Sequence, residues 1–263
     1  MIELLSPAGS PEGVIAAVQN GADAVYMGMG AFNARRGAKN FTDEEFVKAV
    51  RYCHVRGCKV YVTLNTLVND REMRDAVAAA KLASDAGADA LIVQDLGMSY
   101  AIRCALPDIP LHASTQMSLH NLAGVEAAAE MGITRAVLAR ELSFEQIRFI
   151  TKNASIETEV FVHGALCFCH SGQCYMSAMI GGRSGNRGRC AQPCRQSYGY
   201  THWQEKYPLS LKDNCLIPYL RELQDTSIGQ LQIISPYRTD GEASSNGLNA
   251  LIRETVNPHT DSS

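Results

Sequence analysis

The sequence lacks long hydrophobic runs and any strong excess of charge. No stretch of about 18 consecutive apolar residues is present, which argues against a membrane-spanning helix. The opening residues, MIELLSPAG, contain no basic region followed by a hydrophobic one, so we expect a soluble, cytoplasmic protein without a secretory signal. The formal net charge of −3 argues against nucleic-acid binding through overall charge and leaves only a local basic patch for such a role.

Several catalytic motifs are also missing. No G-x-G-x-x-G follows the first predicted strand, which weakens a dinucleotide-binding interpretation. Neither H-E-x-x-H nor a recognisable Ser-His-Asp arrangement is present, so a peptidase would need another nucleophile or metal site.

Short β-type runs alternate with helical patterns along most of the 263 residues. Seven βα units are predicted between Glu3 and Val162, and residues 229–234 provide an eighth strand. Parallel strands need a helical return path, so this alternation predicts a parallel sheet. An open doubly wound sheet competes with a closed barrel, and the strand number favours the barrel. We therefore predict an α/β, (β/α)8 TIM-barrel-like fold whose closure at the C-terminus is in question.

Local signals support these elements. The sequence GADA occurs at 21–24 and at 87–90, where a glycine suited to a helix C-terminus precedes a buried strand. Thr42 and Glu45 have the spacing of a capping box at the start of a helix.

Polar residues recur at the predicted carboxyl ends of the strands, which form the active face of a barrel. We assign substrate binding to Arg35 and Arg36 after the second strand, Asn65 after the third and Gln116 after the fifth. This ring predicts a polar substrate cavity, and its other members are Ser6, Gln94, Asp95, Ser114, Arg140, Glu141 and His163.

Five of the nine cysteines lie between Glu159 and Cys194. Nine cysteines in a chain without a signal peptide indicate free thiols and metal ligands rather than disulfides. Zinc sites usually use two closely spaced cysteine pairs, whereas only the second pair is close here, so we predict an iron-sulfur cluster with zinc as the alternative. The four proposed ligands have the spacing C-x6-C-x15-C-x3-C and are Cys167, Cys174, Cys190 and Cys194.

Other cysteines leave the ligand set open. Cys169 is an alternative first ligand, and Cys215 is an alternative to Cys194. Cys53, Cys58 and Cys104 lie on predicted helices or at their ends, and we expect them to pack in the core.

Arginines lie between the second and third proposed ligands. Residues 160–204 contain no carboxylate, so Arg183, Arg187 and Arg189 form a local positive patch. Arginine side chains beside glycines can hold phosphate or carboxylate groups. An RNA or a small dicarboxylate would therefore suit this loop.

The seventh predicted strand carries two candidate catalytic residues. Glu159 and His163 share one face with Phe161 because side chains alternate along a strand. His163 is a candidate proton donor at the barrel mouth, and an inward Glu159 would need a partner.

The segment EVFVHGALCFCHSGQCYMS (159–177) resembles the signature of peptidase family U32. ELLSPAG, GADAVYMG and RSGNRGRCAQPCR resemble the same family, and the resemblance covers residues 2–228. It implies a TIM-barrel-like domain over 1–228 with a cysteine-rich loop at 164–195, and a 4Fe-4S cluster on the four cysteines named above.

The resemblance implies more than one activity. Some members are described as collagenase-like proteases, and others act in oxygen-independent or prephenate-dependent hydroxylation of tRNA, ribosomal RNA or ubiquinone precursors. RSGNRGRCAQPCR most resembles the branch linked to hydroxylation of a ribosomal RNA cytidine. Hydroxylation of an RNA base is therefore the expected function. A peptidase and a non-catalytic, redox-sensing iron-sulfur partner are the alternatives.

The C-terminal segment departs from the family pattern. Members continue with a Lys-Ile-Glu-Gly-Arg strand, whereas this chain has ISPYRTDGEASSNG after residue 233. We expect residues 229–263 to form a divergent, poorly ordered tail, as a truncated or frameshifted reading frame would produce.

Overall fold

The computed structural model describes residues 2–34, 41–199 and 207–226, and the backbone of 230–233. Eight parallel strands surround a central axis in the order β1-β2-β3-β4-β5-β6-β7-β9, and β9 pairs with β1 to close the barrel. These strands are β1 (Glu3–Pro7), β2 (Ala24–Gly28), β3 (Lys59–Leu64), β4 (Ala90–Val93), β5 (Leu111–Ala113), β6 (Ile133–Val137), β7 (Glu157–Gly164) and β9 (Gln230–Ile233).

Helices return the chain between successive strands. They are α1 (Pro11–Gln19), α2 (Asp43–His54), α3 (Met73–Asp85), α4 (Leu96–Ala105), α5 (Leu122–Glu130), α6 (Phe144–Asn153), α7 (Met176–Gly181) and α8 (Leu220–Gln224). Thr42 and Glu45 form the predicted capping box of α2. Gly21 and Gly87 have φ of 86° and 96°, the left-handed backbone expected at the ends of α1 and α3.

Hydrophobic side chains pack on both sides of the barrel wall. Outward side chains of the strands pack against the inner faces of the helices, as Val60 and Val62 do against Phe46 and Cys53. Inside the barrel, apolar residues such as Leu5, Tyr26, Tyr61 and Ile92 form a smaller cluster. In the part of the chain that the structure describes, no helix is both long and apolar enough to cross a membrane.

The barrel prediction is confirmed, and closure does occur. The β9 strand lies inside the segment predicted as a tail, so the barrel extends to residue 233, while residues 234–263 lie outside the described part. A two-residue antiparallel strand, β8 (Asn214–Cys215), was not predicted; it pairs with the end of β7. Cys53 and Cys58 are buried as expected, but Cys104 is exposed because it lies on the outer side of α4.

Candidate active site

A cavity of about 360 Å³ opens at the carboxyl ends of the strands. Its wall includes Tyr26 and Ile92 from the barrel and Phe161 from β7. Polar groups at the strand ends surround the opening, and Asn65, Ser114, Gln116 and Arg140 of the predicted ring are among them, although most of the cavity lining is apolar. The strand-end groups among the described residues are Ser10, Thr63, Asn65, Ser114, Thr115, Gln116 and Arg140.

The cysteine-rich loop folds over this opening. Cys167, Cys174 and Cys190 all line the cavity, as do His170 and Gly172. Asn65 and the loop from Cys167 to Cys190 are far apart in sequence, but both lie at the opening of this cavity.

Hydrogen bonds fasten the loop to the barrel. Arg140 donates through Nη1 to the Ala165 carbonyl at 2.8 Å and through Nη2 to Ser171 Oγ. The Ser118 hydroxyl donates to the Ser171 carbonyl at 3.1 Å. On the other side of the mouth, Leu67 N–H donates to the Asn186 carbonyl at 3.2 Å.

The four proposed ligand cysteines are free thiols near the same opening. The Gln192 N–H donates to Cys190 Sγ at 3.3 Å. Cys194 does not line the cavity, but its neighbour Arg195 donates to the Leu166 carbonyl at 3.2 Å, beside Cys167. Chemically, this thiol set suits a sulfur-ligated metal group.

The alternative ligands lie close by. Cys169 is half-buried within the loop, and Cys215 is exposed on β8, directly opposite His163 in the strand register. Among the described residues, His120, Glu141 and His170 have ligand atoms close enough together to bind one metal ion, and this group contains no thiol. The thiols are therefore more widely spread than the ligands of a single tetrahedral ion.

The arginines of the loop differ from one another. Arg187 forms a two-point ion pair with Glu72, which raises the pKa of the guanidinium chiefly through that hydrogen bond. Arg183 and Arg189 are exposed, and Arg183 Nε donates to the Arg189 carbonyl at 3.1 Å. Arg35 and Arg36 lie outside the described residues.

Neither candidate catalytic residue lines the cavity. Glu159 is fully buried inside the barrel, one inward position below Phe161 on β7. Its burial raises the carboxyl pKa to about 8, against the lowering effect of Arg135. His163 is half-buried at the end of β7, where burial lowers its pKa despite Asp213 nearby.

Sequence reasoning missed the group formed by His120, Glu141 and His170. Glu141 was recognised only as one polar residue at a strand end. The three residues lie in three different strand-to-helix connections at the barrel mouth, so no local motif could have indicated the group.

A closed eight-stranded barrel with a cavity at its carboxyl-end face, covered by a thiol-rich loop, has the TIM-barrel architecture. The chain belongs to peptidase family U32, whose family model matches residues 9–245. The solved structure of the U32 peptidase Mk0906 has the same fold, with a TM-score of 0.60 at 13% identity over 91% of this chain and 95% of that one.

Curated relatives carry different names. The chain is 40% identical to the 23S rRNA 5-hydroxycytidine C2501 synthase of Escherichia coli K12, over 90% of this chain and 37% of that protein. It is 36% identical to an uncharacterized protease of Methanocaldococcus jannaschii, over 92% and 61%. It is also 36% identical to tRNA hydroxylation protein P1 of Bacillus subtilis 168, over 88% and 58%. The chain thus spans less than two thirds of the length of these relatives.

Proposed function

We propose that this chain takes part in the hydroxylation of an RNA base. The observation that carries the proposal is its 40% identity, over 90% of its length, to a protein named as a ribosomal RNA hydroxycytidine synthase. The cavity supports it, because 360 Å³ lies within the range of about 300–1,000 Å³ usual for small-ligand pockets. A base would leave its stack to enter such a pocket.

Side chains at the cavity wall suit recognition of a base. Gln116 and Arg140 both line the cavity. The amide can donate and accept and the guanidinium can donate, so together they suit the polar edge of a base that has lost its pairing partner. Asn65 is held between the Ala34 N–H at 2.9 Å and Ser114 Oγ at 3.3 Å, which orients it at the same wall.

We propose that the thiol set holds a 4Fe-4S cluster, with Cys169 and Cys215 as alternative ligands. Bound there, the cluster would supply electron transfer beside the cavity. The spread of the thiols favours a cluster over a single zinc ion. The proposed ligands are Cys167, Cys174, Cys190 and Cys194.

Arg183 and Arg189 are the loop arginines free to contact RNA phosphates in this conformation, since Arg187 is already paired with Glu72. Glu159 and His163, which lie away from the cavity wall, would act on the substrate only indirectly. At neutral pH Glu159 is a protonated acid, since the pKa of its carboxyl group is about 8.

The test is mass spectrometry of ribosomal RNA and tRNA from a deletion strain, with and without a plasmid that supplies the full natural protein. We expect one hydroxylated nucleoside to disappear on deletion and to return on complementation. An unchanged nucleoside profile would overturn the proposal.

Anaerobic purification with iron and sulfide analysis tests the cluster separately. A colourless protein that cleaves collagen or casein without iron would instead support the peptidase alternative. RNA affinity measured against salt concentration then tests the arginines. The double change R183A and R189A should weaken binding and reduce the salt slope by about 1.4, at about 0.7 for each single-strand phosphate contact. An unchanged slope would remove these residues from the RNA site.

A further inference from the structure

We propose that His120, Glu141 and His170 bind one divalent first-row transition-metal ion, at a site separate from the thiols. His120 Nε2 lies 3.5 Å from one carboxylate oxygen of Glu141, and His170 Nδ1 lies 3.5 Å from the other. The ligand atoms of all three residues lie within 4.8 Å of one another.

The protonation of His120 suits a ligand. Its Nδ1 lies 2.6 Å from the Ser118 carbonyl oxygen, which can only accept, so Nδ1 carries the hydrogen. In the neutral ring the lone pair is then on Nε2, the atom that faces Glu141. That nitrogen is buried and has no hydrogen-bond partner among the described residues. A carbonyl that orients an imidazole in this way is the usual outer partner of a metal-bound histidine.

The backbone supports the arrangement. Ser118 has a left-handed backbone (φ 58°) that turns its carbonyl toward His120, while its hydroxyl holds the carbonyl of Ser171, next to His170. Arg140, next to Glu141, holds the same loop through Ser171 Oγ. The same contacts therefore position all three ligands. The two imidazole rings meet edge to face at 5.0 Å.

The ligand set selects the class of metal. Two imidazoles and one carboxylate suit Zn²⁺, Fe²⁺ or Co²⁺ better than Ca²⁺ or Mg²⁺. Ligands at about 2.1 Å from a tetrahedral ion are about 3.4 Å apart, so the three ligand atoms, which lie within 4.8 Å of one another, can reach one ion through small side-chain movements. Three protein ligands leave a coordination position open, and His170 lines the cavity, so a bound ion would face the substrate space.

Cobalt is the probe because its absorption spectrum distinguishes nitrogen and oxygen ligands from thiolates. The anaerobically purified full chain is titrated with Co²⁺, and visible d–d bands and thiolate charge-transfer bands are recorded. We expect one equivalent to bind with d–d bands and without charge transfer. The variants H170A and E141Q, both at exposed positions, should each bind Co²⁺ at least tenfold more weakly.

The matched control is H54A, which removes the histidine of a pair with Asp89 outside the proposed site and should keep the parent affinity. Circular dichroism shows whether each variant is folded. Co²⁺ binding that gives only thiolate bands, or affinities of H170A and E141Q within twofold of the parent, would overturn the site. Neither result depends on RNA hydroxylation, and Co²⁺ bound by the thiols is recognised by its own charge-transfer bands.

Discussion

At the scale of single residues, Glu159 is the most unusual group in the barrel. It is completely buried, and neither carboxylate oxygen has a hydrogen-bond partner among the described residues. Burial without full compensation disfavours the charged form, which explains the pKa of about 8. The alternation of side chains along the strand predicted an inward Glu159 correctly, but the sequence could not show that it lies below the cavity.

The substitution Glu159→Gln tests this state through the pH dependence of stability. The pKa of the carboxyl rises from 4.5 in the unfolded chain to about 8 in the fold, so between these values the folded state binds more protons. Stability contributed by this group is present below pH 4.5 and is lost as the pH rises toward 8. We expect the parent to lose on the order of 1 kcal/mol per pH unit relative to E159Q in this window, measured by urea unfolding. Parallel curves for the two proteins would contradict the assignment.

At the scale of elements, the cysteine-rich loop depends on close backbone contact with the loop after β2. Gly188 has φ of 71°, and a Cβ at this position would lie 2.2 Å from the Asn33 carbonyl oxygen. Gly182 has nearly the same φ, 66°, but a Cβ added there would meet no atom of the described residues within 4 Å. Substitutions at these two glycines therefore distinguish the cost of a left-handed backbone from the cost of a steric clash.

We expect Gly188→Ala to open the loop, whereas Gly182→Ala should cost only about 1 kcal/mol through its left-handed backbone. The measurements are the iron content per chain after anaerobic reconstitution and the rate of proteolysis within residues 164–195. G188A should lose most of its iron and be cleaved faster, while G182A should resemble the parent. Equal behaviour of the two variants would show that the contact with Asn33 does not hold the loop.

At the scale of the whole molecule, charged side chains join distant strands at the amino-end side of the barrel interior. Arg135 from β6 donates to Glu3 of β1 at 2.9 Å, to Tyr61 of β3 at 3.3 Å and to Glu157 of β7 at 2.6 Å. Although burial raises the pKa of Glu3, hydrogen bonds from Lys59 and Tyr61 and the charge of Arg135 lower it overall. Four strands are thereby held together around one guanidinium group.

Replacing Arg135 by Met should destabilise the fold by about 1.5–3 kcal/mol, because Glu3 and Glu157 each lose a charged hydrogen-bond partner while Glu3 keeps Lys59 and Tyr61. The exposed i,i+4 pair of Lys81 and Asp85 provides the control, and K81M should cost no more than about 0.5 kcal/mol. Both values come from chemical denaturation at neutral pH. A loss below about 1 kcal/mol in R135M would mean that the interior charges do not stabilise the barrel.

Local sequence patterns were sufficient for the order of the first seven strands and the helices between them, because helix ends and buried strands depend on neighbouring residues. The glycines at 21 and 87 and the capping box at Thr42 each act within a few residues of the chain. The alternation of strands and helices then left the parallel barrel as the favoured arrangement.

Only the tertiary structure decided which distant side chains meet. Arg187 pairs with Glu72, 115 residues away, although nothing near Arg187 in sequence carries a negative charge. His120, Glu141 and His170 converge because three separate connections end at one face of the closed barrel. Such contacts depend on barrel closure and loop docking, whose geometry is set by the whole chain, whereas the sequence pattern around each residue reports only its local conformation.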